Sequence, residues 1–224
     1  MVRITGFCLV AAAISFQHTA SAAGDADAQA VQATAAYAKQ HLSAERLVKL
    51  GIEEDKKLGL QTSCHSDYGA APLSIQVLSP AEFTGQKADP IKGTWRVRYR
   101  LHRCGESKVY NAIFVAKDGD VPAIGSFYPG STLANVKLIK DAMVPALIQG
   151  AAASSKKNCT SPSVFDMQVT RAPANRTWNE VWTFSACGEL IDVPMTFVAS
   201  EDGSSVNFNS GKAMVRPAPP DVKP

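Results

Sequence analysis

Hydrophobic and polar residues alternate along two stretches of the chain in the same way. In the first, Trp95, Val97, Tyr99 and Leu101 fall on one side of an extended segment, and after a Cys-Gly pair Tyr110, Ala112, Phe114 and Ala116 do so again. In the second, Trp178, Trp182, Phe184 and Ala186 share a side, with Glu180 as the exception, followed by Val193, Met195, Phe197 and Ala199. Period-two alternation marks a half-buried strand, so each stretch predicts an antiparallel hairpin with one apolar face. Another apolar strand precedes each hairpin, "LSIQVLSP" from Leu73 and "SVFDMQVTRAP" from Ser163. Ahead of those strands the period lengthens. Val31, Ala35, Ala38 and Leu42 follow helical spacing, with a further short amphipathic piece from near Ser43 to about Gly51. Val136, Ile139, Met143 and Leu147 repeat the helical pattern, with Ser131 or Thr132 as the expected N-cap and Pro145 as a kink. Pro194 predicts an edge or a bulge in its strand.

The two hairpins can be laid over one another, Gly93 to Asp120 on Arg176 to Gly203. Trp95 stands nine residues before Cys104, and Trp178 nine before Cys187. Phe114 and Phe197 each follow ten residues after the cysteine and are each succeeded by Val-Ala. Shared register across Trp, Cys-Gly-Glu and Phe-Val-Ala reads as an internal duplication of supersecondary size. The expected fold is therefore α+β: two tandem related units, each a helix followed by a three-stranded antiparallel sheet, stapled by disulfides. The expected boundaries are a signal peptide over 1–22, a first unit over 23–130, a second over 131–212 and a proline-rich disordered tail over 213–224.

The first residues change the picture of where such a protein works. Arg3, an apolar run from Ile4 to Phe16 and Ala20-Ser21-Ala22 ahead of Ala23 have the layout of a secretory signal peptide. Cys8 lies inside the apolar run, so no lipid anchor is expected. The run from Ala142 to Ser155 is too short and interrupted to cross a bilayer. The expected location is periplasmic or secreted. Net charge is +3, too small for a nucleic-acid binder driven by bulk charge. Past the leader stand four cysteines, Cys64, Cys104, Cys159 and Cys187, and in an oxidising compartment an even number points to disulfides. The duplication favours Cys64 with Cys104 and Cys159 with Cys187, with a pairing swapped between the copies as the alternative.

Candidate chemistry is sparse. Arg96, Arg98, Arg100 and His102 occupy the polar side of a strand, where the second copy has Asn179, Val181, Thr183 and Ser185, so the fold does not require them. Such a stripe is a solvated sheet face, or else a surface whose guanidinium groups hold carboxylates, phosphates or an acidic protein. Cys64, His65, His102 and Cys104 form a possible zinc set, but the second copy keeps its cysteines with Thr160 and Ser185 in place of the histidines; no metal or other cofactor is expected. Ser154 and Lys157 satisfy S-x-x-K without the motif's companions, in what reads as a polar linker. Asn158 and Asn175 begin glycosylation sequons, which matter only in a glycosylating host. Glu53, Glu54, Asp55, Lys56 and Lys57 read as a solvated helix face or turn.

The segment "TWNEVWTFSACGELIDVPMTFVASEDG" resembles a pattern of uncharacterised secreted or periplasmic proteins of Gram-negative bacteria, Trp-x-Glu-x-Trp followed after four residues by Cys-Gly. Here Trp178, Glu180, Trp182, Cys187 and Gly188 fill those positions, whereas the first copy has Val97 for the glutamate and Tyr99 for the second tryptophan. The resemblance implies a periplasmic or secreted location and no catalytic residue. The expected function is an exported soluble, non-enzymatic binding or accessory protein of the cell envelope, contacting an envelope protein or an acidic ligand through the basic stripe or the cleft between the copies. The alternative is a secreted hydrolase whose site is assembled from distant residues, with His41, His65 and His102 as the histidines to test.

Overall fold

The computed structural model describes residues 22–60, 67–156, 162–200, 203–208 and 213–218. The chain opens with two helices, α1 (Ala22–Gln40) and α2 (Ala44–Lys57). Ser43 caps α2, its hydroxyl accepting from the Arg46 amide at 3.3 Å. Glu45 in the first turn and Lys56 and Lys57 in the last complement the helix dipole. The helix runs past Gly51, the expected end. Gly51 marks a close approach there: a Cβ at this position would sit 3.0 Å from the Leu101 side chain.

Four strands follow, β1 (Tyr68–Glu82), β2 (Lys92–Arg103), β3 (Glu106–Lys117) and β4 (Ala123–Phe127), forming an antiparallel sheet in that order. The β2–β3 turn is Cys104–Gly105, both with positive φ (41° and 83°), the two-residue geometry that matches strand twist. It sets Trp95 opposite Phe114 and Tyr99 opposite Tyr110. The apolar face so aligned buries Trp95, Val97, Tyr99, Leu101, Tyr110 and Phe114 against Tyr37, Leu47 and Leu50 of the helices.

The second unit begins with α3 (Val136–Ala153), capped by Asn135 rather than by Ser131 or Thr132; the Asn135 side chain accepts from the Leu138 amide at 2.9 Å. Pro145 lies inside this helix, which continues to Ala153. Strands β5 (Ser163–Ala174), β6 (Thr177–Ala186), β7 (Glu189–Ser200), β8 (Gly203–Phe208) and β9 (Met214–Pro217) complete an antiparallel sheet. The turn Cys187–Gly188 repeats the positive-φ pair (50° and 79°). It aligns Trp178 with Phe197 and Trp182 with Val193 under α3. β8 pairs with Met195 to Ser200 and β9 with Glu189 to Asp192. The break between them falls at Pro194, which has no N–H for a ladder.

The expected unit of one helix and three strands is thus corrected on both sides: among the described residues the first unit has two helices and four strands, the second one helix and five strands. β4, β8 and β9 carry little alternation. β4 "AIGSF" contains a glycine, β8 "GSSVNF" is polar, and β9 "MVRP" belongs to the expected proline-rich tail. They become strands because β3 and β7 offer unpaired edges, a tertiary demand that propensity does not register. Of the expected staples only Cys104 and Cys187 are described, and both are disulfide-bonded. Backbone ladders on either side close both Cys-Gly turns, through Arg103 with Glu106 and Ala186 with Glu189. Cys64 and Cys159 lie outside the described residues.

The segment after β4 stitches the two sheets together. The Gly130 amide donates to the Val109 carbonyl of β3 at 2.9 Å, and the next amide, Ser131, donates to the Met167 carbonyl of β5 at 2.6 Å. Side chains cross the same seam. Phe127 and Tyr128 pack on the core of the second unit, and Phe165 packs on the core of the first.

Candidate functional site

The seam divides the predicted basic stripe. Arg96, Arg98, Arg100 and His102 do share the β2 face opposite the helices, but only Arg100 and His102 are exposed. Arg96 is 6% exposed and Arg98 is half-buried, its Nη2 donating to the Thr132 carbonyl at 2.8 Å. Both guanidinium groups lie in the field of Glu180 from β6. Burial lowers both pKa values; repulsion from Arg98 adds to the effect on Arg96, and Glu180 opposes it in both cases. Arg96 Nη1, Arg98 Nε and the Oδ1 of Asn111, which pairs across from Arg98, are buried without a hydrogen-bond partner.

Glu180, the polar exception in an apolar face, is fully buried. One carboxylate oxygen accepts the indole N–H of Trp178 at 2.8 Å, the other that of Trp182 at 2.8 Å. The first oxygen also accepts the Leu133 amide, 2.8 Å away, from the connecting segment. A strand places residues i, i+2 and i+4 on one side, so the Trp-x-Glu-x-Trp spacing lets one carboxylate hold both indoles. Buried charge requires such partners.

Beside the seam lies a cleft of about 370 Å3, lined by Arg103, Ser107 and Lys108 from the first unit, Ser131 from the connection and Asp166 and Gln168 from β5. Lys108 is its main unspent charge. Only 13% of its side chain is exposed, its Nζ is 3.8 Å from Asp166 Oδ1, longer than a hydrogen bond, and it stands 4.3 Å over the Phe165 ring. Burial lowers the Lys108 pKa, and attraction to Asp166 only partly restores it. Arg103, by contrast, has a close carboxylate partner, although its Nε makes no hydrogen bond. It is ion-paired with the buried Asp55 of α2, which also accepts the Tyr110 hydroxyl. Burial would lower the Arg103 pKa, but the Asp55 contacts outweigh it and raise it.

Sequence reasoning missed Asp55, reading it with Glu54 as part of a solvated run; both are buried. A signal was present, since Leu47, Gly51 and Asp55 follow at four-residue intervals on one helix face. Lys108 and Asp166 carried no signal of this kind, because their meeting depends on how the units dock.

The arrangement gathers charged and hydrogen-bonding side chains around one cleft. Among the described residues no group of three His, Cys, Asp or Glu could hold a metal ion. His65 lies outside the described residues, as does Lys157 of the S-x-x-K segment. Ser154 and Ser155 instead donate their hydroxyls to Glu189, tying the end of α3 to the β6–β7 turn. His41 stacks on Tyr37 with ring centroids 4.4 Å apart, whereas His102 is exposed on the sheet face.

No family model and no curated protein matches the chain. Among solved structures, a cystatin-like protein from Ruminococcus gnavus ATCC 29149 is similar with a TM-score of 0.24 and 10% identity, over 66% of this chain and 68% of that one. No described helix is long and apolar enough to cross a membrane.

Proposed function

We propose that this is an exported, non-enzymatic binding or accessory protein of the bacterial cell envelope, which takes an acidic ligand in the cleft between its two units. Lys108 carries the reading: a lysine almost out of water, whose ion-pair partner Asp166 stands 3.8 Å away, beyond hydrogen-bonding distance. Burying an ammonium without close partners costs stability, and a ligand carboxylate or phosphate would supply the missing contacts. Ser107, Ser131 and Gln168 around it offer neutral hydrogen-bonding groups to orient such a ligand. The leader-like start of the chain and the resemblance of Trp178, Glu180, Trp182 and Cys187-Gly188 to secreted Gram-negative proteins support the envelope location.

Native mass spectrometry of protein recovered from the periplasm, wild type beside Lys108→Met, tests both parts. Met keeps the stem's packing and removes the charge. The expected result is a periplasmic chain beginning at Ala23, carrying an added mass that leaves on denaturation and is absent from the variant. A bare wild-type chain, or an adduct that survives in the variant, would remove the cleft as the site.

A further inference from the structure

A second concavity lies at the far end of the first unit, where five elements converge. It is a pocket of about 200 Å3 lined by Tyr37 of α1, His41, Arg46 of α2, Asp89 of the β1–β2 loop, Trp95 of β2 and Phe114 of β3. Space for about seven waters suits a small molecule, not a peptide or a sugar chain. The walls are aromatic. Trp95 and Phe114 stack with centroids 5.7 Å apart and planes 6° from parallel, and Tyr37 meets Trp95 edge-on at 5.8 Å.

Two opposite charges reach into this aromatic frame with bonding capacity to spare. Arg46 Nη2 donates to the Pro122 carbonyl at 2.8 Å, and its Cζ is 5.7 Å over Phe114; its Nε and Nη1 meet no acceptor among the described residues. Asp89 Oδ1 accepts the Tyr37 hydroxyl, and its Oδ2 meets no donor among the described residues. The Tyr37 phenol stands between the two fields, for after burial it is Asp89 that raises its pKa and Arg46 that lowers it.

The duplication supplies an independent comparison. In the second unit the Trp178–Phe197 stack is built the same way, with centroids 5.1 Å apart, but there Glu180 fills the neighbouring position and accepts the indole N–H. In the first unit Val97 stands in that place and Trp95 lines the pocket instead. One scaffold thus spends its tryptophan on an internal carboxylate in one copy and turns it to a pocket in the other.

We infer that this pocket is a binding site for a small zwitterion, its carboxylate toward Arg46 and its ammonium toward Asp89 and the aromatic walls. A guanidinium recognises a carboxylate through paired N–H groups, and an ammonium is attracted both by a carboxylate and by ring faces. Amino acids and betaines have this chemistry, differing in charge separation and in methylation of the nitrogen.

Isothermal titration of the full chain with the twenty L-amino acids, glycine betaine and γ-aminobutyrate tests it, with the deaminated and decarboxylated forms of the best binder as single-charge controls. At least one zwitterion should bind with Kd below about 1 mM. Arg46→Met, which keeps the stem over Phe114, and Asp89→Asn, which keeps the acceptor for Tyr37, should each weaken it about tenfold or more, with unchanged circular dichroism. No binding by any of these compounds, binding equal in both variants, or single-charge controls that bind as tightly would each overturn the assignment.

Discussion

Glu180 shows how one residue can decide whether neighbouring charges are tolerable. Its carboxylate holds two indoles and an amide and is the buried anion nearest in effect to Arg96 and Arg98. Truncation to alanine removes three hydrogen bonds and leaves two desolvated guanidinium groups uncompensated, so Glu180→Ala should cost about 3–5 kcal/mol. Glu180→Gln keeps the shape but turns one acceptor into a donor facing an indole N–H, and about 1–3 kcal/mol is expected. Urea unfolding followed by tryptophan fluorescence measures both; an alanine variant within about 0.5 kcal/mol of wild type would refute the role. The same contacts mean that replacing Arg96 or Arg98 alters the interior, whereas Arg100 and His102 can be changed at the surface.

Among the elements, the connection between β4 and α3 depends on Gly130. Its φ is +96°, and a Cβ there would lie 2.2 Å from the Met167 carbonyl oxygen and 2.3 Å from the Met167 nitrogen of β5, backbone atoms that cannot swing aside. Gly130→Ala must therefore push the connection off β5 and lose the Ser131–Met167 bond. A cost of about 2 kcal/mol or more is expected, with amide exchange of Ser131 accelerated before that of the strand interiors. Unchanged exchange and stability would show that the seam is held elsewhere. The hairpin strands β2, β3, β6 and β7 were legible as alternating sequence, as was the Cys-Gly turn, because pleat and turn geometry act over neighbouring residues. β4, β8 and β9 were not legible. Their pairing partners, not their own composition, make them strands.

For the whole molecule, the docking of the units leaves a pH signature at Lys108, which faces Asp166 across the seam and Asp55 and Arg103 within its own unit. Burial sets its folded pKa below the ordinary lysine value of 10.5, so between the folded value and 10.5 the unfolded chain binds the extra proton. The Lys108 contribution to stability therefore rises with pH through that window. Wild type should gain on Lys108→Met as pH climbs toward 10.5, in unfolding curves measured at each pH; a constant difference would mean that Lys108 is as well solvated as in the unfolded chain. By itself the sequence determined the two hairpins, their apolar faces and the tight turns between their strands. All of these are fixed by period-two patterning and local dihedral preference. It did not determine that half of the arginine stripe is interior, that Asp55 is buried under Arg103 and Tyr110, or that Lys108 meets Asp166. Those outcomes rest on contacts between residues as far apart as Arg96 and Glu180. Whether a charge meets water or a distant counter-charge is decided only when the two sheets are joined.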